Sequence, residues 1–450
     1  MNQEQIPASG LKRLHAKMLN HNILDISLSI CGLVFITYFF LAWLFLPSWV
    51  HFEVVRTAPA YLLKPGESLF FNSLDYGFNL KITELGYYRP RFLCFLIEFL
   101  DTNLSFYFYQ KFPQLGLKLP SYAASIMATV ASFVWFYKTL FPKTGYGVAL
   151  LGGASLLFYD VYQNTSFMVL RGGKFLTSAA GIFLVTIYLR YHRRDFSLSS
   201  LGTCLIISCV CFLLATMDEQ ITAVVFFTCF VALIVLFTEK KISQSFVIFV
   251  LAALNYCLYY FYWGRWLFSK FTPDGIQVNN HPHNFSDVFK VNFENIKGAA
   301  EMLLSNFIAL GIPSLAFILV FFCSVANIYR KNNNITKNML SCAAFLLFPI
   351  ALTSVMVASH PAIYSYKSHQ LWSLFYLLLP IHTLIISVIY SLYLANFKTN
   401  LFKAILAVCF IYICTNGVVK MDGLHHIACT NASKIFHSFN CGVNPFSLMK

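Results

Sequence analysis

Long apolar runs separated by short polar breaks organise this chain from residue 24 onward. A helix needs roughly 17 to 25 mostly apolar residues to cross a hydrocarbon layer of about 30 Å. Runs of that kind predict crossing helices at 24–46, 121–141, 145–162, 175–190, 200–216, 221–238, 243–263, 303–326, 339–357, 371–394 and 402–418. Together these eleven predict an all-α, polytopic membrane bundle. One further stretch, "RFLCFLIEFLDTNLSFYFYQKF" from Arg91 to Phe112, is nearly as apolar. Its polar positions Arg91, Cys94, Glu98, Asp101 with Thr102, and Ser105 recur every three or four residues, which draws a stripe along one helical face. The expectation is an amphipathic helix lying at the outer interface after the first span. Making it a span would invert everything that follows and put "RYHRRD" outside.

The polar breaks assign sides, because lysine and arginine in short loops mark the cytoplasmic face. With the N-terminus inside, the cytoplasmic segments are "LKRLHAK", "FPKTG", "RYHRRD", "EKK", "YRKNNNITKN" and "FKTNLFK", each short and basic. Residues 1–22 then form a cytoplasmic tail, polar for too long before the first apolar run to be a cleaved signal peptide. The transmembrane domain covers 23–418; the outer face receives the long loops 47–120 and 264–302 and a tail at 419–450. Fourteen of the eighteen acids fall on that outer side. Acids have little influence on orientation, so their clustering points to chemistry there.

Composition narrows the class. Hydrophobic residues make up 58% of the chain and charged ones 11%, far from the mixture of a soluble domain. The net charge of +14 is spread through short loops, with no basic face interleaved with aromatics, so nucleic acid is not expected as a partner. Most of the thirteen cysteines lie in apolar runs and no CxxC occurs, which leaves zinc-ribbon and thioredoxin-like readings without support. Cys429 and Cys441 share the outer tail, where a disulfide is permitted but not established by spacing.

Candidate chemistry gathers in the outer loops. "LDYGFNLKITELGYYRPRF" brings Asp75 and Glu84 close to Arg89 and Arg91, with Pro90 favouring a helix start. A carboxylate followed by paired guanidiniums suits loss of a hydroxyl proton as a phosphate departs; the alternative is that the arginines bind lipid headgroups. "FYDVYQNTSFMVLRGGKF" places Asp160 near the outer end of the third span, and Arg171 and Lys174 at the start of the fourth. That turn can offer backbone donors and two cations to a phosphate, or serve only as an interfacial anchor. Asp218 and Glu219 sit in a tight turn as a carboxylate pair for a sugar or metal or, more commonly, as solvated acids; His281 and His283, two apart, give a weak metal signal against an ordinary loop; and "YKSHQLW" supplies Lys367 and His369 before the tenth span. No metal ligand set is assigned, although a divalent metal stays open as a cofactor.

The inside N-terminus, the long acid- and arginine-bearing first outer loop and the acid before the fourth span resemble the GT-C class of membrane glycosyltransferases. Protein mannosyltransferases and lipid A aminoarabinose transferases belong to that class. The resemblance rests on residues 24–190 and on overall layout. It implies a polyprenyl-phosphate-linked sugar as donor, a glycan, lipid or protein hydroxyl as acceptor, and inverting transfer at the outer face of a bacterial inner membrane. By resemblance Asp75, Gly86 and Arg89-Pro90-Arg91 match the first-loop motif, and Asp160 the second acidic position. Arg171 and Lys174, with Arg89 and Arg91, would hold the donor phosphate, and Lys367 and His369 would stand for the late basic motif. The class carries a double acid in the first loop, whereas Asp75 is flanked here by Leu74 and Tyr76, and Glu84 lies nine residues on. A polysaccharide flippase, an outer-face polymerase or ligase, and a non-catalytic assembly protein are the rival readings.

Overall fold

A computed structural model describes residues 8–45, 62–77, 92–112, 120–167, 172–192, 291–331, 335–359, 377–396 and 400–435, with isolated positions between 213 and 254. Every element among the described residues is a helix. In chain order these are α1 (Ala8–Phe45), α2 (Leu69–Gly77), α3 (Phe92–Lys111), α4 (Pro120–Leu140), α5 (Gly147–Leu157) and α6 (Asp160–Ser166). There follow α7 (Gly172–His192), α8 (Phe293–Ile308), α9 (Ile312–Lys331), α10 (Ile335–Ser359), α11 (Leu378–Leu394) and α12 (Asn400–Ile435). Four stretches are long and apolar enough to cross a membrane: Ile23–Phe45, Tyr122–Leu140, Ile312–Arg330 and Leu401–Met421. Shorter apolar helices, Gly147–Leu157, Gly173–Ile187, Asn338–Ser354 and Leu378–Leu394, pack among them.

The expected third span is two helices, α5 and α6, broken at Phe158 and Tyr159. The run expected at 303–326 is divided by a turn at residues 309–311, so α8 stands apart from α9. The expected spans at 200–216, 221–238 and 243–263 lie almost wholly outside the described residues. Helix also continues where tails were expected. Helix α1 begins about four turns before its apolar window, and α12 runs on by a similar length after Met421.

Two ends of the bundle can be named from the contacts. At one, the Asp25 carboxylate of α1 accepts the backbone N–H groups of Gly147 (2.9 Å) and Tyr146 (3.2 Å). Helix α5 has no side-chain cap of its own, so an acid 122 residues away supplies one and meets the positive end of its dipole. A Cβ on Gly145 would fall 1.8 Å from Asp25 Oδ2, so only glycine lets the carboxylate approach. At the other end, Trp43 Nε1 donates to the Ser166 carbonyl at 2.8 Å and the Tyr122 hydroxyl donates to Thr165 O. Those two carbonyls end α6, and an apolar surround would otherwise leave them without donors.

Matching residues along neighbours fixes relative directions. Phe39 packs on Phe158, and Gly417 of α12 lies against Phe158, so α1, the α5–α6 pair and α12 all run from the Asp25 end to the Trp43 end. Helices α4 and α7 run the other way, with Tyr122 against Phe175 near one end and Arg190 over Trp135 towards the other. Helix α11 also runs away from the Trp43 end, since Tyr162 donates to Leu378 O at 2.9 Å while Tyr393 meets Phe141. Helix α9 does the same: Phe317 packs on Phe410, and Asn327 Nδ2 donates to Ala395 O at 2.6 Å.

The core is aromatic and interlocked. Phe345 stacks on Tyr390 with ring centroids 4.1 Å apart, joining α10 to α11. Pro349 lies inside α10, where its missing N–H leaves the Phe345 carbonyl without its usual helical donor. Ser387 Oγ reaches across from α11 and donates to Phe345 O at 2.6 Å. The proline is tolerated because a neighbouring hydroxyl takes over the freed acceptor.

Candidate functional site

The residues nominated by the sequence divide by where they fall. Glu84, Arg89, Arg91, Arg171, Lys367 and His369 lie outside the described residues, as do Asp218, Glu219, His281, His283 and Cys441. Asp75 is on α2, but only the backbone is described there. Asp160 and Lys174 are described in full, and both sit at helix starts towards the Trp43 end.

Asp160 opens α6, where its Oδ2 lies 3.6 Å from Lys420 Nζ of α12, each side chain being 36% exposed. Lys420 was not anticipated, because the last apolar run was expected to end at 418. The two helices come close at Gly417, where a Cβ would meet the Phe158 carbonyl at 2.5 Å. One turn along α6, Gln163 Nε2 donates to Gly417 O at 2.9 Å and fixes the amide orientation. Its Oε1 is buried without a donor. Tyr159 ties the same corner to α8 by donating to Asn306 O.

Lys174 is 7% exposed in the first turn of α7. A buried ammonium is costly unless compensated. Among the described residues, Asp101 and Lys174 are the only buried side chains of the Asp, Glu, Lys and Arg types.

Helix α3 forms as the periodicity predicts, but its stripe does not face outward. Asp101, Thr102 and Ser105 are 5%, 0% and 0% exposed, and Cys94 is buried with them. The alternative side carries the exposed Tyr107. At 100° per residue the stripe falls between two apolar edges. Leu104 and Phe108 on one edge pack against the main core, while Phe95 and Phe99 on the other pack with Leu69 at the start of α2 and Leu63 in the chain leading into it. The stripe therefore borders a seam between the bundle and α2, the helix that carries Asp75. Helix α3 also touches α7, on which Lys174 sits. Inside the stripe, Thr102 Oγ1 donates to Glu98 O at 2.7 Å and the Cys94 thiol to Glu98 Oε1 at 3.7 Å. Asn103 Oδ1 accepts from Leu63 N at 3.0 Å, which holds α3 against the chain leading into α2.

A second polar group lies deeper. The Tyr162 hydroxyl is 3.0 Å from Ser178 Oγ, which is 3.1 Å from His382 Nδ1, linking α6, α7 and α11 in a fully buried chain. Tyr162 gives its one proton to Leu378 O, so Ser178 donates to Tyr162 and accepts from Nδ1–H. His382 Nε2 is left as a lone pair with no donor, and its ring lies on Phe133. No run of similar residues marks this trio in the sequence, because each helix contributes a single member.

No group of three or more histidine, cysteine or acidic side chains able to hold a metal occurs among the described residues. No protein-family model, curated protein or solved structure matches the chain.

Proposed function

We propose that this integral membrane protein is a GT-C-type glycosyltransferase that moves a sugar from a polyprenyl-phosphate donor to a hydroxyl on a glycan, lipid or protein acceptor. The observation that carries the reading is the gathering of α2, α3, α6 and α7 towards one end, bringing the helices that bear Asp75, Asp160 and Lys174 into a connected set. In this mechanism Asp75 takes the proton from the acceptor hydroxyl as its oxygen attacks the anomeric carbon. The bond from that carbon to the phosphate oxygen breaks with inversion. Lys174, with Arg89, Arg91 and Arg171, stabilises the charge that develops on the departing phosphate. Asp160, held by Lys420, orients the sugar hydroxyls.

Eleven spans with an inside N-terminus fit this scheme. Helices α7 and α9 both run away from the Trp43 end, an arrangement compatible with the odd number of spans expected between them. The three apolar runs at 200–216, 221–238 and 243–263 supply such a number.

The test is turnover of polyprenyl-phosphate sugars in membranes containing the protein. A positioned base contributes about 10²–10⁴-fold, so Asp75→Asn lowers turnover by that factor while the protein stays in the membrane. Near-wild-type turnover removes Asp75 from the role. A polysaccharide flippase is the second reading, drawn from the buried His382, since ionisable groups within a bundle often line a path. Translocation of an intact lipid-linked sugar across vesicles, without release of polyprenyl phosphate, would favour it.

A further inference from the structure

We infer that the inward stripe of α3 is the acceptor-binding face of the site proposed above, and that Asp101 supplies the second carboxylate absent beside Asp75. The inference rests on that proposed activity. Asp75 has no acidic neighbour in sequence, but its helix α2 lies along α3. The α3 stripe borders the seam between α2 and the bundle, as the order of its apolar edges implies. Asp101 lies in the middle of the stripe at 5% exposure. A carboxylate on that stripe belongs to the helix packed along the one that carries the proposed base.

An independent observation points to a ligand. Ser105 is one turn further along the same face, is fully buried, and its hydroxyl has no hydrogen-bond partner. A serine on a helix usually bonds back to a carbonyl one turn earlier, as Thr102 does to Glu98. Ser105 leaves one donor and two acceptor positions unused in an enclosed polar strip. Carboxylate and hydroxyl, spaced by one helical turn of about 5.4 Å, match adjacent hydroxyls of a polyol. The ligand class is therefore a hydroxyl-bearing acceptor such as a sugar. Asp101 accepts a hydrogen bond from a hydroxyl of the acceptor adjacent to the attacking one and so aims the latter, whose single proton Asp75 removes.

The experiment uses the full chain in native membrane vesicles, with a panel of radiolabelled short-chain polyprenyl-phosphate hexoses as donors and the membranes' own acceptors. Transfer of label is followed against donor concentration, and donor binding is measured separately by filtration. Asp101→Asn is expected to lower kcat by at least about 30-fold while donor binding stays within about twofold, and Asp101→Glu to recover part of the rate. A merely structural carboxylate would change abundance or donor binding along with kcat. Ser105→Ala is expected to lower the rate several-fold and decides the matter if Asp101→Asn fails to reach the membrane. Wild-type rates in Asp101→Asn, or in Ser105→Ala when Asp101→Asn is absent, overturn the inference and leave the transferase reading standing. A wild-type protein that transfers no label from any donor overturns both.

Discussion

A carboxylate and an ammonium 3.6 Å apart, each still one-third exposed, form a weak structural contact. Solvent screens such a pair, and surface ion pairs add about 1 kcal/mol at most. Lys420→Met should therefore lower thermal stability in detergent by under about 1 kcal/mol. Under the proposed function it should still impair sugar transfer, because Asp160 loses the cation that orients it. A large drop in melting temperature with unchanged transfer would assign the pair to folding instead. At this scale the sequence was half legible. Asp160 stood out as an acid ending an apolar run, whereas Lys420 lay two residues beyond the expected end of the last one and looked like ordinary tail. Asp25 was still less visible. Its partners Tyr146 and Gly147 are more than a hundred residues away, and only the close approach permitted at Gly145 joins them.

Helices were easier to read than the surfaces they use. The periodicity of residues 91–109 announced α3 and its polar stripe, but periodicity states that one face differs without saying what that face meets. The stripe looked suited to an aqueous boundary because α2 was not visible as a helix on which it could close. The break between α5 and α6 escaped for a related reason: a run that stays apolar through a kink keeps its hydropathy. In α10 the cost of Pro349 is assigned to a single neighbour, and a double-mutant cycle can isolate it. Ser387→Ala should destabilise the protein by about 1–2 kcal/mol, since it removes the hydroxyl that donates to the buried Phe345 carbonyl in place of the helical N–H. In a Pro349→Ala background that carbonyl regains a helical partner, and the same serine change should cost clearly less. Equal costs in thermal unfolding in both backgrounds would detach the serine from the proline.

Across the whole molecule, helix directions carry the strongest topological content. Lys143 and Arg330 both lie towards the Asp25 end, while Lys64 belongs to the connection between α1 and α4 at the Trp43 end. Under the proposed orientation, a membrane-impermeant maleimide added to sealed right-side-out membranes should react with Lys64→Cys. It should react with Lys143→Cys and Arg330→Cys only after permeabilisation. Labelling of Lys143→Cys and Arg330→Cys from opposite sides would break the placement of both at one end of the bundle. The apolar runs and basic loops had already implied this alternation. The packing adds which helices are neighbours: α1 lies against α5, and α4 against α7.

Helices α1 and α12 have 38 and 36 residues, about 57 and 54 Å at 1.5 Å per residue, well over the thickness of a bilayer core. Each overshoots its apolar window in the direction opposite to the other. A particle buried in a detergent belt offers electron microscopy few features for alignment. Here the chain supplies two helical extensions at opposite ends of the bundle. Splicing the first helix of a soluble helical protein in phase onto Ile435 would extend α12 without a joint and give the image a fixed landmark.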